Sequence, residues 1–159
     1  MKEILINKLH AYLVHNNPDV LVALRGDTKV TSYLEEKVDA LDDLPEQLLA
    51  EGKPAYIVEE ICMDELTAEF RPSRYNYILS VLEDEFEAEY TGWQEEGTLE
   101  SEVIKMLPAF DLVFDYFGFT GENEDDRKLR YATIGTMRQY LIGVIVDREY
   151  LDKIDFSVL

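Results

Sequence analysis

Apolar residues recur along this chain at helical rather than strand spacing. Leu5, Leu9, Tyr12 and Leu13 share one face of a first helix expected from about Lys2 to His15, ending before Pro18. The short patch Val20-Leu21-Val22-Ala23-Leu24 suits either a helical turn or a strand, and Gly26 closes it. Asp27 or Thr28 is placed to cap a second helix reaching about Leu41, with Pro45 marking the next boundary. Glu46 to Glu51 reads as a short helix stopped by Gly52. Pro54 suits the first turn of the helix after it, where a missing N–H costs nothing, and that helix continues to about Glu69.

After the turn Phe70-Arg71-Pro72-Ser73, Ser73 can cap a helix running to about Tyr90. Tyr75, Ile78, Leu79, Leu82 and Phe86 form one stripe on it, and Tyr77, Val81 and Ala88 a second on roughly the opposite side. Two apolar faces require neighbours on both, which makes this helix central. Thr91-Gly92-Trp93 reads as a break, after which Thr98 caps a helix to Phe117. Leu99, Val103, Met106, Leu107, Phe110, Val113, Phe114 and Phe117 fall on one side of it. Pro108 lies opposite, so a kinked but continuous helix is expected. Gly118 and Gly121 open the acidic loop Glu122-Asn123-Glu124-Asp125-Asp126. A last helix from about Asp126 to Val146 then buries Ile134, Met137, Leu141, Val144 and Ile145. The pattern predicts an all-α, multihelical single domain over residues 1–159, with a central helix packed on both faces.

Composition supports a folded chain: ten Tyr, seven Phe and abundant Leu, Ile and Val argue against disorder despite a net charge of −19. The charge is unevenly spread. Glu35 to Glu102 holds 21 acidic and 4 basic residues, whereas Arg127 to Lys153 holds six basic residues against three acids. Such acidity opposes direct binding to nucleic acid phosphates or to anionic lipid, and leaves a basic protein as the expected partner. The N-terminus has charges among its apolar residues and no small-residue cleavage site, unlike a secretory signal. The run Leu141 to Val146 is far short of the ~20 residues that span a bilayer. A cytoplasmic location is expected.

Candidate chemistry is sparse. A di-metal helical bundle needs Glu-x-x-His pairs, and neither His10 nor His15 follows a Glu at that spacing. The acidic loop lacks the alternating ligands and twelfth-position Glu of a calcium site. Cys62 sits among Val58, Ile61 and Leu66, an apolar setting that suits a core thiol rather than a nucleophile. Arg25-Gly26-Asp27 matches an adhesion tripeptide, but a turn glycine followed by a helix cap explains it. No glycine-rich phosphate loop is present. No catalytic residue, metal or cofactor is expected.

What remains is the acidic surface. Glu60/Asp64, Glu65/Glu69, Glu83/Glu87 and Glu85/Glu89 are like-charge pairs four apart, each costing about 0.2–0.5 kcal/mol on a helix. Glu60, Asp64, Glu83, Asp84 and Glu87 are the candidate interaction surface, projecting from two central helices.

Asp64-Glu65-Leu66 through Phe70-Arg71-Pro72-Ser73-Arg74-Tyr75-Asn76, continuing as Ile78 to Phe86, resembles an uncharacterised family of small multihelical proteins from Bacteroidetes. Tyr12-Leu13-Val14-His15-Asn16-Asn17-Pro18 and Leu107-Pro108 with Val113-Phe114 are similar to that family too. The resemblance implies a multihelical fold and an association with mobile, conjugative elements. It supplies no activity and no functional residue. The leading reading is a non-enzymatic interaction or accessory module; the alternative is a DNA mimic that inhibits a DNA-binding or restriction protein, and an enzyme without a recognisable motif comes third.

If like-charge crowding dominates the surface, moderate salt will raise the melting temperature by screening. A fall on adding salt would show that attractive pairs outweigh the repulsion.

Overall fold

The computed structural model describes residues 1–143 and 147–155. Helices and turns account for their regular structure, and no strand occurs among them. The patch around Val20 is helical. No helix among the described residues is long and apolar enough to cross a membrane. The chain divides into two compact units, Met1–Arg71 and Pro72–Leu159.

The first unit contains α1 (Lys2–Asn16), α2 (Pro18–Leu24), α3 (Asp27–Asp39), α4 (Leu44–Ala50) and α5 (Ala55–Thr67), the last followed by a 3-10 turn, Ala68–Phe70. Helix α1 packs against α2, α3 and α5, and α4 packs against α5. The four-residue repeat of α1 explains this: Leu5, Leu9 and Leu13 are fully buried and meet Leu34, Val38, Leu48, Val58, Cys62 and Leu66. Neither Asp27 nor Thr28 caps α3. Gly26 occupies the cap position at φ 130°, after Arg25 in the left-handed region at φ 53°. Asp27 instead lies inside the first turn, where its charge complements the helix dipole.

The second unit is built on α6 (Arg74–Glu85), α7 (Glu87–Glu96), α8 (Leu99–Met106), α9 (Asp111–Phe117), α10 (Arg127–Leu141) and α11 (Arg148–Asp152). The Ser73 hydroxyl caps α6 by accepting from the Asn76 N–H at 3.0 Å. Both stripes of α6 are covered. Tyr75, Ile78 and Leu82 on one and Tyr77 and Val81 on the other are buried, with α7, α8 and α10 packed around the helix.

Three boundaries differ from those expected of the sequence. The helix from Ser73 stops at Phe86, whose φ of −135° and ψ of 56° are not helical, and α7 then runs through Thr91-Gly92-Trp93 to end at Gly97. Charge accounts for the position of this break. Glu83, Asp84 and Glu85 crowd the negative end of α6, whereas Glu87 and Glu89 sit at the positive end of α7. Ala88, expected on a buried stripe, is consequently exposed. At Pro108 the kink is a 3-10 segment, Leu107–Phe110, because proline offers no N–H to the turn before it. Val103, Met106, Phe110, Val113 and Phe114 still reach one core. Finally, α10 ends at Leu141, followed by Gly143 at φ 81°. Val144 and Ile145, expected on its buried face, lie outside the described residues. The short α11 went unread in the apolar pattern; Asp147 caps it through the Tyr150 N–H at 2.9 Å, and Leu151 anchors it in the core.

Core truncation tests both units. Leu9→Ala in the first is expected to cost about 2–5 kcal/mol and Phe110→Ala in the second about 3–5 kcal/mol by urea unfolding. Ser73→Ala should cost about 1 kcal/mol through loss of the cap. A negligible loss for Leu9→Ala would contradict a closed core in the first unit.

Candidate functional site

The acidic candidates fall in different units. Glu60 and Asp64 project from α5 opposite the buried Val58, Cys62 and Leu66, in line with Tyr56, which is 68% exposed. The spacing of four keeps Tyr56, Glu60 and Asp64 on one face. Three nearby lysines pair with other acids, Lys8 with Glu59 at 2.8 Å, Lys37 with Glu69 at 2.6 Å and Lys53 with Glu51 at 3.7 Å, and the Arg71 guanidinium donates to the backbone carbonyls of Asp64 and Thr67 at 3.0 and 3.4 Å. Neither the Glu60 nor the Asp64 carboxylate makes an ion pair among the described residues.

In the second unit, Glu83 and Asp84 stand on the last turn of α6 and Glu87 on the first turn of α7. Because the helix breaks between them, Glu83 and Glu87 are not the one-turn pair that a continuous helix would present. Asp84 is also partly neutralised. Arg130 of α10 reaches it at 3.1 Å and Glu85 at 3.6 Å. Such exposed pairs contribute at most about 1 kcal/mol each. Asp84 is better described as a tether for α10 than as open charge.

The same arginine borders a depression of about 340 Å³. Ser73, Tyr77 and Ser80 line it from successive turns of α6, and Glu124 and Asp125 from the loop before α10. The loop is held on both sides of these acids. Asn123 donates to the Phe117 and Gly118 carbonyls at 2.8 and 3.1 Å, and its Oδ1 accepts from the Thr120 N–H at 2.8 Å. Asp126 caps α10, accepting from the Lys128 N–H at 2.7 Å. The Tyr77 ring packs on Phe114 and Phe119, with centroids 6.0 and 5.0 Å away. Only 9% of the residue is exposed, and its hydroxyl is sealed inside the unit next to the Thr133 hydroxyl. Burial pushes the phenol pKa up, partly offset by the nearby Thr133 hydroxyl, which itself donates to the Leu129 carbonyl at 2.8 Å. Tyr77 is thus a neutral phenol at physiological pH.

Cys62 is fully buried, and burial, reinforced by Glu46, raises its thiol pKa, the opposite of what a nucleophile needs. His10 and His15 are exposed on α1. Among the described residues, no three His, Cys, Asp or Glu side chains gather as a metal site would require.

A family model matches residues 6–147, a stretch that enters both units. The chain belongs to the DUF1896 family, a domain of unknown function. No curated protein and no solved structure matches it. In this DUF1896 member the depression beside Tyr77 was missed by sequence reasoning, which assigned Tyr77 to an apolar stripe. A signal was present: Ser73, Tyr77 and Ser80 recur at helical spacing on one face, a polar edge along a helix otherwise read for its apolar residues.

One further buried group carries a pH dependence. Asp19, in the first turn of α2, has a buried Oδ1 without a partner, and burial raises its pKa despite its own and the Val20 backbone N–H groups. A folded-state pKa above the unfolded one means that the native state holds the proton more tightly. Ionised Asp19 therefore subtracts stability at neutral pH, and the loss disappears as pH falls through the raised value toward the unfolded one. Asp19→Asn is expected to raise the melting temperature at neutral pH, with the gain shrinking toward about pH 4. An equal gain at both pH values would assign it to packing instead.

Proposed function

We propose that this chain is a non-enzymatic interaction module that uses an acidic helical face to hold a basic protein partner. The observation that carries the reading is on α5, where Glu60 and Asp64 stand beside an exposed tyrosine while the neighbouring lysines are paired elsewhere. Such a face offers Lys or Arg side chains two carboxylates that make no ion pair among the described residues, and an aromatic surface for cation–π or apolar contact. Glu83 and Glu87 form a second acidic patch in the other unit, with Asp84 already engaged by Arg130. The setting consistent with this role is cytoplasmic, alongside the mobile, conjugative elements of Bacteroidetes that the family resemblance implies.

DNA mimicry is a narrower version of the same idea and is less well supported. Duplex DNA carries a charge about every 1.7 Å along its axis. Carboxylates one turn apart on a single helix face recur only about every 6 Å.

Capture from cell extract tests the module. Glu60→Lys with Asp64→Lys should abolish retention of a basic partner while changing stability by no more than about 0.5 kcal/mol, as expected of exposed positions. Glu83→Lys with Glu87→Lys asks the same of the second patch. A partner retained equally by both double variants would sink the acidic-face reading. If the retained partner binds DNA and duplex DNA displaces it, mimicry gains the advantage; retention in excess DNA leaves the module.

A further inference from the structure

We infer that the depression between α10 and α11 is a binding site for a small organic acid, one carboxylate on an apolar body. The inference is independent of the acidic face on α5. It gives a role to the stretch from Arg127 to Lys153, where six basic residues stand against three acids on a chain of net charge −19. The depression has a volume of about 580 Å³, in the range of small-molecule sites. Ile134 and Ile154 line it, half-buried and packed on the core, with Tyr131 and Tyr150 beside them.

Two features are specific to this depression. Gly135 is helical, so its backbone does not call for glycine, and glycine weakens a helix interior. What calls for it is space: a Cβ there would stand 2.7 Å from the Tyr150 hydroxyl. Any larger residue would push the Tyr150 ring away from α10. The second feature is Arg138, on the last turn of α10, which lines the depression and makes no ion pair among the described residues. It stands close to the Tyr150 phenol, whose pKa burial and Tyr131 raise and Arg138 lowers.

These groups define the ligand. A guanidinium matches a carboxylate through two parallel N–H···O bonds, while the isoleucines and tyrosines suit an apolar, flat body. Lys153 adds a second cation; its pair with Glu149 at 2.8 Å is exposed on both sides and holds it weakly. Asp155 lines the depression as well, which opposes a second negative charge and disfavours a phosphate dianion or a dicarboxylate. A free aryl acid and the carboxyl end of a peptide finishing in an aromatic residue present the same chemistry.

Calorimetric titration of the full chain at low salt provides the test. Hydrocinnamate serves as the free acid, hydrocinnamamide as its neutral counterpart and acetyl-Gly-Phe as the peptide end. Saturable one-site binding of hydrocinnamate or of acetyl-Gly-Phe is expected, and the tighter of the two identifies the source. The amide should bind about tenfold more weakly than the acid, as loss of a charge-assisted pair implies. Arg138→Gln should remove that difference. Gly135→Ala, which changes shape and not charge, should weaken acid and amide alike. Arg127→Gln removes the same charge at the far end of α10 and should leave binding unchanged.

The inference is overturned if neither acid saturates at millimolar concentration, or if Arg138→Gln still prefers the acid to the amide. A loss in Arg127→Gln equal to that in Arg138→Gln, or Gly135→Ala binding equal to the parent's, would also overturn it. Should Gly135→Ala fail to fold, Arg138 is exposed and its variant still decides.

Discussion

Within each unit, surface carboxylates push on one another, and complete burial of a few apolar stripes is what opposes them. The magnitudes are unequal. A like-charge pair one turn apart costs about 0.2–0.5 kcal/mol, whereas a fully buried Leu, Val or Phe contributes about 1.5–3 kcal/mol. Leu5, Leu9 and Leu13 in the first unit, and Ile78, Leu82, Met106 and Phe110 in the second, are entirely buried. A handful of such residues outweighs the local repulsion, which leaves the chain able to carry its charge of −19 on the outside. At Phe86 charge also selects where one helix ends and the next begins.

Phe86 shows that selection at work. No proline or glycine marks the break between α6 and α7, and the apolar stripe runs straight through it. The acids on either side favour opposite helix ends, and Arg130 holds the last turn of α6 by reaching Asp84 and Glu85. The same contact occupies Arg130 beside Tyr77, so one arginine both tethers α10 and shapes the electrostatics of the depression next to it. The acidic surface is divided into carboxylates that pair with a cation and carboxylates that make no ion pair among the described residues.

Helical class and the identity of the buried stripes were legible in the chain because they follow from local spacing. The four-residue repeat of Leu5, Leu9 and Leu13, the Ser73 cap and the one-sided arc from Val103 to Phe114 need no knowledge of neighbours. Glu60 and Asp64 were legible for the same reason, since the face opposite a buried stripe must be exposed. The exact ends of helices were less so. Gly92 suggested a break, yet a glycine costs only about 1 kcal/mol in a helix, an amount that packing of Trp93 against the core can offset.

Tertiary structure alone decided which charges are spent and which polar groups share a site. Arg130 meets Asp84, and Glu124 and Asp125 line one depression with Tyr77, across stretches of chain whose separation carries no periodic signal. The division into two compact units is of the same kind, because it depends on which stripe each helix finds as its partner. Spacing along the chain determined that these residues would form amphipathic helices with acidic outer faces. Partner choice among those helices, a matter of long-range contacts rather than local propensity, determined which carboxylates would find a cation, as Asp84 finds Arg130.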